Sequence, residues 1–149
     1  MQIYVDGDAC PKAVKEILYR CSEKRKVAIT FVANQYLQIP KSPLINVIVV
    51  SEGPDEADNH IVEIMSAGDL VITADIPLAD RAIKKKGVVL DPRGMFLDKE
   101  TIGHRLAMRN FMEDLRNNGE ITGGPNAYGN KEKQAFANHL DRFLTKTLK

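Results

Sequence analysis

The apolar positions of this chain fall into short continuous runs, separated by stretches in which apolar residues recur every three or four positions. The runs are Ile3-Tyr4-Val5, Val27 to Ala33, Ile45 to Val50, Leu70-Val71-Ile72 and Val88-Val89-Leu90. Rich in β-branched residues and without alternation, they predict strands buried on both faces, as in a parallel sheet. Between them Val14, Ile17, Leu18 and Cys21 recur at i, i+3, i+4 and i+7, which predicts a helix with one face on the sheet. Ala57, Ile61, Ile64 and Met65 mark a second helix, and Leu78, Ala79, Ala82 and Ile83 a third. Pro11 suits the first turn of its helix. Gly68 and Gly87 are the expected stops of the second and third helices, and Lys84-Lys85-Lys86 fall where a helix C-terminus favours positive charge.

Asn34 to Pro43, with two prolines, predicts an irregular loop. Beyond Leu90 the pattern changes. Asp91-Pro92-Arg93-Gly94 predicts a turn, Lys99 to Asn117 a helix, Gly119 to Asn126 a glycine-rich loop, and Lys131 to Thr147 a last helix carrying Phe136, Leu140, Phe143 and Leu144. Strands alternating with helices imply a parallel sheet with right-handed crossovers. The expected fold is therefore α/β, a three-layer α/β/α arrangement with a mainly parallel five-stranded sheet and two C-terminal helices. Its order is taken as 3-2-1-4-5. Residues 1–149 read as a single domain, with a helical extension from about residue 99.

That order sets strands one and four side by side where the strand order reverses. Ligands of open α/β sheets bind there, outside the carboxyl ends of the strands. Asp6-Gly7-Asp8 follows strand one and Thr73-Ala74-Asp75 follows strand four, so Asp6, Asp8 and Asp75 are expected to share a crevice. Unpaired carboxylates so placed repel, and protons or a cation must compensate. Mg²⁺ or Mn²⁺ takes oxygen ligands, needs few carboxylates, and can activate water and polarise a phosphoryl oxygen. Asp58, in the first turn of its helix, and Asp80, one turn beyond Asp75, are further candidate ligands. Each has a structural alternative: an N-cap for Asp75, turns for Asp6 and Asp8, a dipole partner for Asp58 and a solvated helix position for Asp80.

Net charge is only +1, but residues 1–80 balance −5 and residues 81–149 balance +6. Such asymmetry suits an acidic site beside a basic surface for a polyanion. The candidate substrate contacts are Lys12 at a helix N-terminus, Asn34 at the end of strand two, Arg93 after strand five, and Arg105 with Arg109, which share a helix face. Gly123-Gly124-Pro125 would let backbone approach a phosphate, but lacks the Lys-Ser/Thr of a phosphate loop and also reads as a plain loop.

Cys10 and Cys21, if both lie on the first helix, would sit roughly 16 Å apart, beyond disulfide reach. Free thiols suit a reducing compartment, and Cys10 reads as a buried thiol rather than a nucleophile. No apolar run approaches the ~20 residues of a membrane span, and the N-terminus lacks a signal-peptide pattern. A cytoplasmic protein without a membrane partner is expected.

Several segments carry a resemblance: Met1 to Lys12, Glu56 to Val62, Val71 to Ala79, Asp91 to Gly94, Arg105 to Asn110 and Gly123 to Pro125. In that order they resemble the YaiI/YqxD family, bacterial proteins of uncharacterised function. That family is similar in turn to the PIN-like nuclease superfamily, which places acidic residues at the ends of its first and fourth strands. The similarity implies a PIN-like domain in which Asp6, Asp8, Asp58, Asp75 and Asp80 match the acidic positions. It also implies Mg²⁺- or Mn²⁺-dependent hydrolysis of phosphodiesters, usually of RNA. Asp58 and Asp80 are the loosest matches.

Two other readings stay open. Asp6-Gly7-Asp8 after a strand also looks like the Asp-x-Asp of haloacid-dehalogenase phosphatases, with Asp6 as nucleophile and Asp8 as acid/base. Strand two of that fold should end in Ser or Thr, whereas this one ends in Ala33-Asn34. A module that binds nucleic acid or protein without turnover is the third reading. The 6% aromatic content argues against extensive stacking on single strands.

Overall fold

The apolar runs do form strands, and their side chains divide between two faces of one sheet. The computed structural model of the chain describes residues 1–53, 55–117 and 128–148, the side chains of Arg109 and Arg116 excepted. Gly123-Gly124-Pro125 lies outside the described residues. The strands are β1 (Ile3–Asp6), β2 (Ile29–Ala33), β3 (Ile45–Val49), β4 (Leu70–Ile72), β5 (Val88–Leu90) and β6 (Phe96–Leu97). They form one sheet in the order β3-β2-β1-β4-β5-β6. The first five are parallel, and β6 runs antiparallel to β5.

Among the described residues the sheet therefore has six strands rather than the five expected. Two residues are too few to show a period, so Phe96-Leu97 gave no strand signal. The chain folds back because Asp91 organises the turn: its Oδ1 accepts from the backbone N–H groups of Arg93 and Met95, both at 2.9 Å. Gly94 completes the reversal at φ +93°, and a Cβ there would fall 2.7 Å from the Ala135 carbonyl carbon. Only glycine fits on both counts.

Among the described residues five α-helices cover the sheet: α1 (Lys12–Arg25), α2 (Glu56–Ile64), α3 (Ile76–Lys84), α4 (Lys99–Asn117) and α5 (Asn130–Thr147). Ile3, Val5, Phe31 and Ile72 point to one face, where α1 packs through Val14 and Leu18 and α5 through Phe136, Leu140 and Leu144. Tyr4, Val32, Val71 and Val89 point to the other, against Ala57 and Ile61 of α2, Leu78, Ala79 and Ala82 of α3, and Ile102 of α4. Helices on both faces explain why the strands read as unbroken apolar runs.

The helix ends depart from expectation. Pro11 is the N-cap of α1 rather than a helical residue, so Cys10 precedes the helix. α2 ends at Ile64, and Gly68 belongs to the turn into β4, at φ 87°. Beyond α3 the left-handed position is Lys86, φ 67°, one residue before Gly87. Lys85 does more than complement its own helix: its ammonium donates to the carbonyls of Val62 and Met65, at 2.6 and 2.8 Å. It thereby satisfies carbonyls that the end of α2 leaves unpaired. Both cysteines are free thiols. Among the described residues no helix is long and apolar enough to cross a membrane.

Candidate functional site

At the carboxyl edge of β1 the chain turns at once. Asp6 is the last strand residue, and Gly7–Ala9 make a single 3-10 turn before Pro11 caps α1. Beside it β4 ends at Ile72, and Thr73-Ala74-Asp75 lead into α3. Asp75 is the N-cap its position suggested, with Oδ1 accepting from Leu78 N–H at 3.0 Å. Thr73, which the sequence reading passed over, ties the two corners together. Its hydroxyl accepts from Asp75 N–H at 3.0 Å and donates to Asp6 Oδ2 at 3.4 Å. The available signal was its place: a buried hydroxyl residue between an apolar strand and an N-cap.

Four carboxylates share the resulting field. Asp6 is shifted up from the ordinary carboxylate range, first by burial, then by Asp75 and Asp8, against a lowering from the Thr73 hydroxyl. Asp58 is pushed up to about 6, by burial first and then by Asp75, Asp6 and Asp55, with Arg81 opposing. Both hold protons more tightly because burial disfavours the charged form and neighbouring carboxylates add to that effect. Asp8 stands at the same edge, its Oδ2 accepting from Asn34 N–H at 2.7 Å. Asp80 is drawn elsewhere: Lys84, one turn on, pairs with it at 2.9 Å. Among the described residues no three His, Cys, Asp or Glu side chains are gathered closely enough to hold a metal ion as they stand.

The candidate basic contacts separate in the same way. Asn34 is occupied in structure, its side-chain amide donating to the Ser51 carbonyl at 2.8 Å. Lys12 is exposed at the first position of α1. Arg105 reaches back to the turn after β5, where its Nη1 meets Asp91 Oδ2 at 2.9 Å. Arg93 pairs with Glu132 at 3.5 Å. Arg109 lies on α4, its side chain outside the described residues.

Arg93 and Arg105 line a cleft of about 220 Å³ together with Asp91, Pro92, Tyr128, Ala9, Pro11 and Ala74. Ala9 and Ala74 come from the two loops that carry the carboxylates, so cleft and acidic edge adjoin. Tyr128, also unforeseen, closes one wall by donating its hydroxyl to the Pro92 carbonyl at 2.9 Å. The Cys10 thiol, in contrast, is pushed up to about 12, mainly by burial, which removes it as a nucleophile at neutral pH.

The profile of the family described as "Uncharacterized BCR, YaiI/YqxD family" matches residues 4–146. The chain belongs to that family. Among its relatives is a "UPF0178 protein" of Saccharophagus degradans, 56% identical over 149 residues, which are 100% of this chain and 99% of that protein. Another of the same name, from Maridesulfovibrio salexigens, is 55% identical over 148 residues, 99% of this chain and 98% of that one. A third, from Dechloromonas aromatica, is 56% identical over 146 residues, 98% and 97% of the two chains. No solved structure matches the chain. Family membership thus fixes kinship along nearly the whole length and leaves the chemistry to be argued from the site.

Proposed function

We propose that this protein is a PIN-like phosphodiesterase, dependent on Mg²⁺ or Mn²⁺ and acting on nucleic acid, RNA before DNA. One observation supports the reading: Asp6, Asp8, Asp58 and Asp75 contribute to one negative field where strand order reverses, and Arg81 at Asp58 and the Thr73 hydroxyl at Asp6 offset it only in part. The donor set fits a hard divalent cation, being carboxylate oxygen throughout. Asp75 uses Oδ1 for its cap and Asp8 uses Oδ2 for the Asn34 N–H. The remaining oxygen of each, with the carboxylates of Asp6 and Asp58, would hold the ion. A bound cation supplies water activation and polarises a phosphoryl oxygen.

The chain's own residues do the rest. Thr73 fixes Asp6 relative to Asp75. Arg93 and Arg105, in the adjoining cleft, offer further N–H donors to the substrate phosphates, although each already carries an acidic partner. Asp80 is left outside the ligand set, because Lys84 already answers its charge.

The test is RNA cleavage in Mn²⁺ by Asp6→Asn and Asp75→Asn. Asparagine removes the charge while keeping a good N-cap at position 75. Both variants should fold and lose cleavage. Wild-type cleavage by both would overturn the reading.

A further inference from the structure

The carboxyl edge has a third feature beside the acidic corner and the basic cleft. Tyr36, in the loop after β2, is 73% exposed, the most exposed large apolar or aromatic side chain among the described residues. An exposed tyrosine on a mobile tip would need no explanation, but this loop is anchored on both sides of it. Two residues before it, the Asn34 N–H donates to Asp8 at 2.7 Å and the Asn34 side chain holds Ser51. One residue after it, Leu37 is half-buried and packs against the main apolar cluster. Its Cδ1 comes so close to Gly7 that a Cβ there would stand 2.8 Å away. Tyr36 is thus presented outward from a segment clamped onto the turn between Asp6 and Asp8.

We infer that Tyr36 is a stacking platform for a base of single-stranded nucleic acid, whose backbone crosses the acidic corner toward the Arg93–Arg105 cleft. This rests on the nucleic-acid reading of the site. The strand order supplies the direction. β2, β1, β4 and β5 are consecutive, so the strand ends that precede Tyr36 and Arg93 lie about three strand spacings apart, roughly 14 Å. That span holds about four nucleotides at the 3.4 Å rise of a stacked strand, and fewer in an extended one.

An aromatic ring needs a free base face. A single strand offers one, whereas in a duplex each face is covered by the next base pair. The short track also reconciles the proposal with the low aromatic content. A single platform beside one basic cleft grips a few nucleotides and requires no long stacking surface.

Binding is measured by fluorescence anisotropy with a fluorescein-labelled oligoadenylate and a labelled RNA duplex of equal length, in Ca²⁺, which takes the same oxygen ligands, with strand integrity checked on a gel after each titration. Wild type should prefer the single strand. Tyr36→Ala should weaken single-strand binding on the order of tenfold, Tyr36→Phe should bind within about twofold of wild type, and duplex binding should be unmoved by either. Unaltered single-strand affinity in Tyr36→Ala, equal affinity for the duplex, or no binding by wild type would overturn the inference. Cleavage in Mn²⁺ is scored separately. Loss of single-strand affinity in Tyr36→Ala with no cleavage by wild type would retain the platform and discard the nuclease.

Discussion

Asp91 and Asp6 both stand at the carboxyl edge of the sheet, one strand apart from β4 on either side, and their surroundings are opposite. Asp91 is buried, and it accepts from two backbone N–H groups while pairing with Arg105. Among the described residues Asp6 has only the Thr73 hydroxyl, at 3.4 Å, and burial, together with Asp75 and Asp8, raises its affinity for a proton. A carboxylate kept for architecture is surrounded by donors. A carboxylate kept among other carboxylates costs stability, and under the proposed function a bound cation would offset that cost. Asp69, at the other end of the sheet, belongs with Asp91: it is buried and accepts from Gln2 and Ser66 N–H groups at 3.0 and 2.9 Å.

The sharpest way to break this contrast is to remove the satisfied member. Asp91→Ala leaves the Arg105 guanidinium and two turn N–H groups without their acceptor. Breaking a buried pair in this way destabilises by about 3 kcal/mol or more, and the β5–β6 turn should loosen with it. Urea unfolding measures the loss. A change under about 1 kcal/mol would mean that water replaces the carboxylate, and Asp91 would cease to be the architectural reference.

Divalent cation should act on the opposite corner. At a hundred times its dissociation constant, Mn²⁺ bound only to the folded chain stabilises by about 2.7 kcal/mol. The expected result is a rise in the unfolding midpoint of wild type and of Asp80→Ala, and none in an Asp6→Asn/Asp75→Asn double variant. An equal rise in all three would move the ion away from the carboxylates proposed for it.

The strands and their parallel arrangement were legible because runs such as Leu70-Val71-Ile72 are decisive signals, whereas the meeting of the two acidic corners rested on an assumed strand order, which the sheet bears out. Asp80 lies five residues beyond Asp75 but four before Lys84, and the i, i+4 spacing already favoured the lysine that pairs with it. The β6 strand was too short to read. The Asp91–Arg105 pair spans fourteen positions and two elements, and no local pattern couples residues so far apart. The left-handed stops at Lys26 and Lys86 were invisible for a different reason: glycine is the usual signal, and here lysine adopts that backbone.

A smaller effect separates Asp58 by sign. Burial and the neighbouring Asp75 and Asp6 push its carboxyl up to about 6 from the ordinary 3.8, so the folded state binds the proton more tightly. Stability is therefore lost as pH rises through that interval, and above it the charge works against folding. Asp58→Asn should raise stability at pH 7 by about 1 kcal/mol after allowance for solvent screening, and the gain should vanish below pH 4. Denaturation at the two pH values decides it. A destabilised variant at pH 7 would place Asp58 with Asp91 among the architectural carboxylates.

The smallest change is expected at Asp80. Its pair with Lys84 is an i, i+4 contact on the surface of α3, with the lysine side chain 68% exposed. Pairs of this kind contribute about 0.3–0.5 kcal/mol and fade with salt, so Asp80→Ala should sit within that margin of wild type and lose even that difference at high ionic strength. RNA cleavage and the response to Mn²⁺ should not change, since Lys84 rather than Asp75 answers its charge. Loss of cleavage in Asp80→Ala with stability intact would show that the contact to Lys84 yields when the site is occupied. The boundary between architectural and functional carboxylates would then have to include α3 one turn further along.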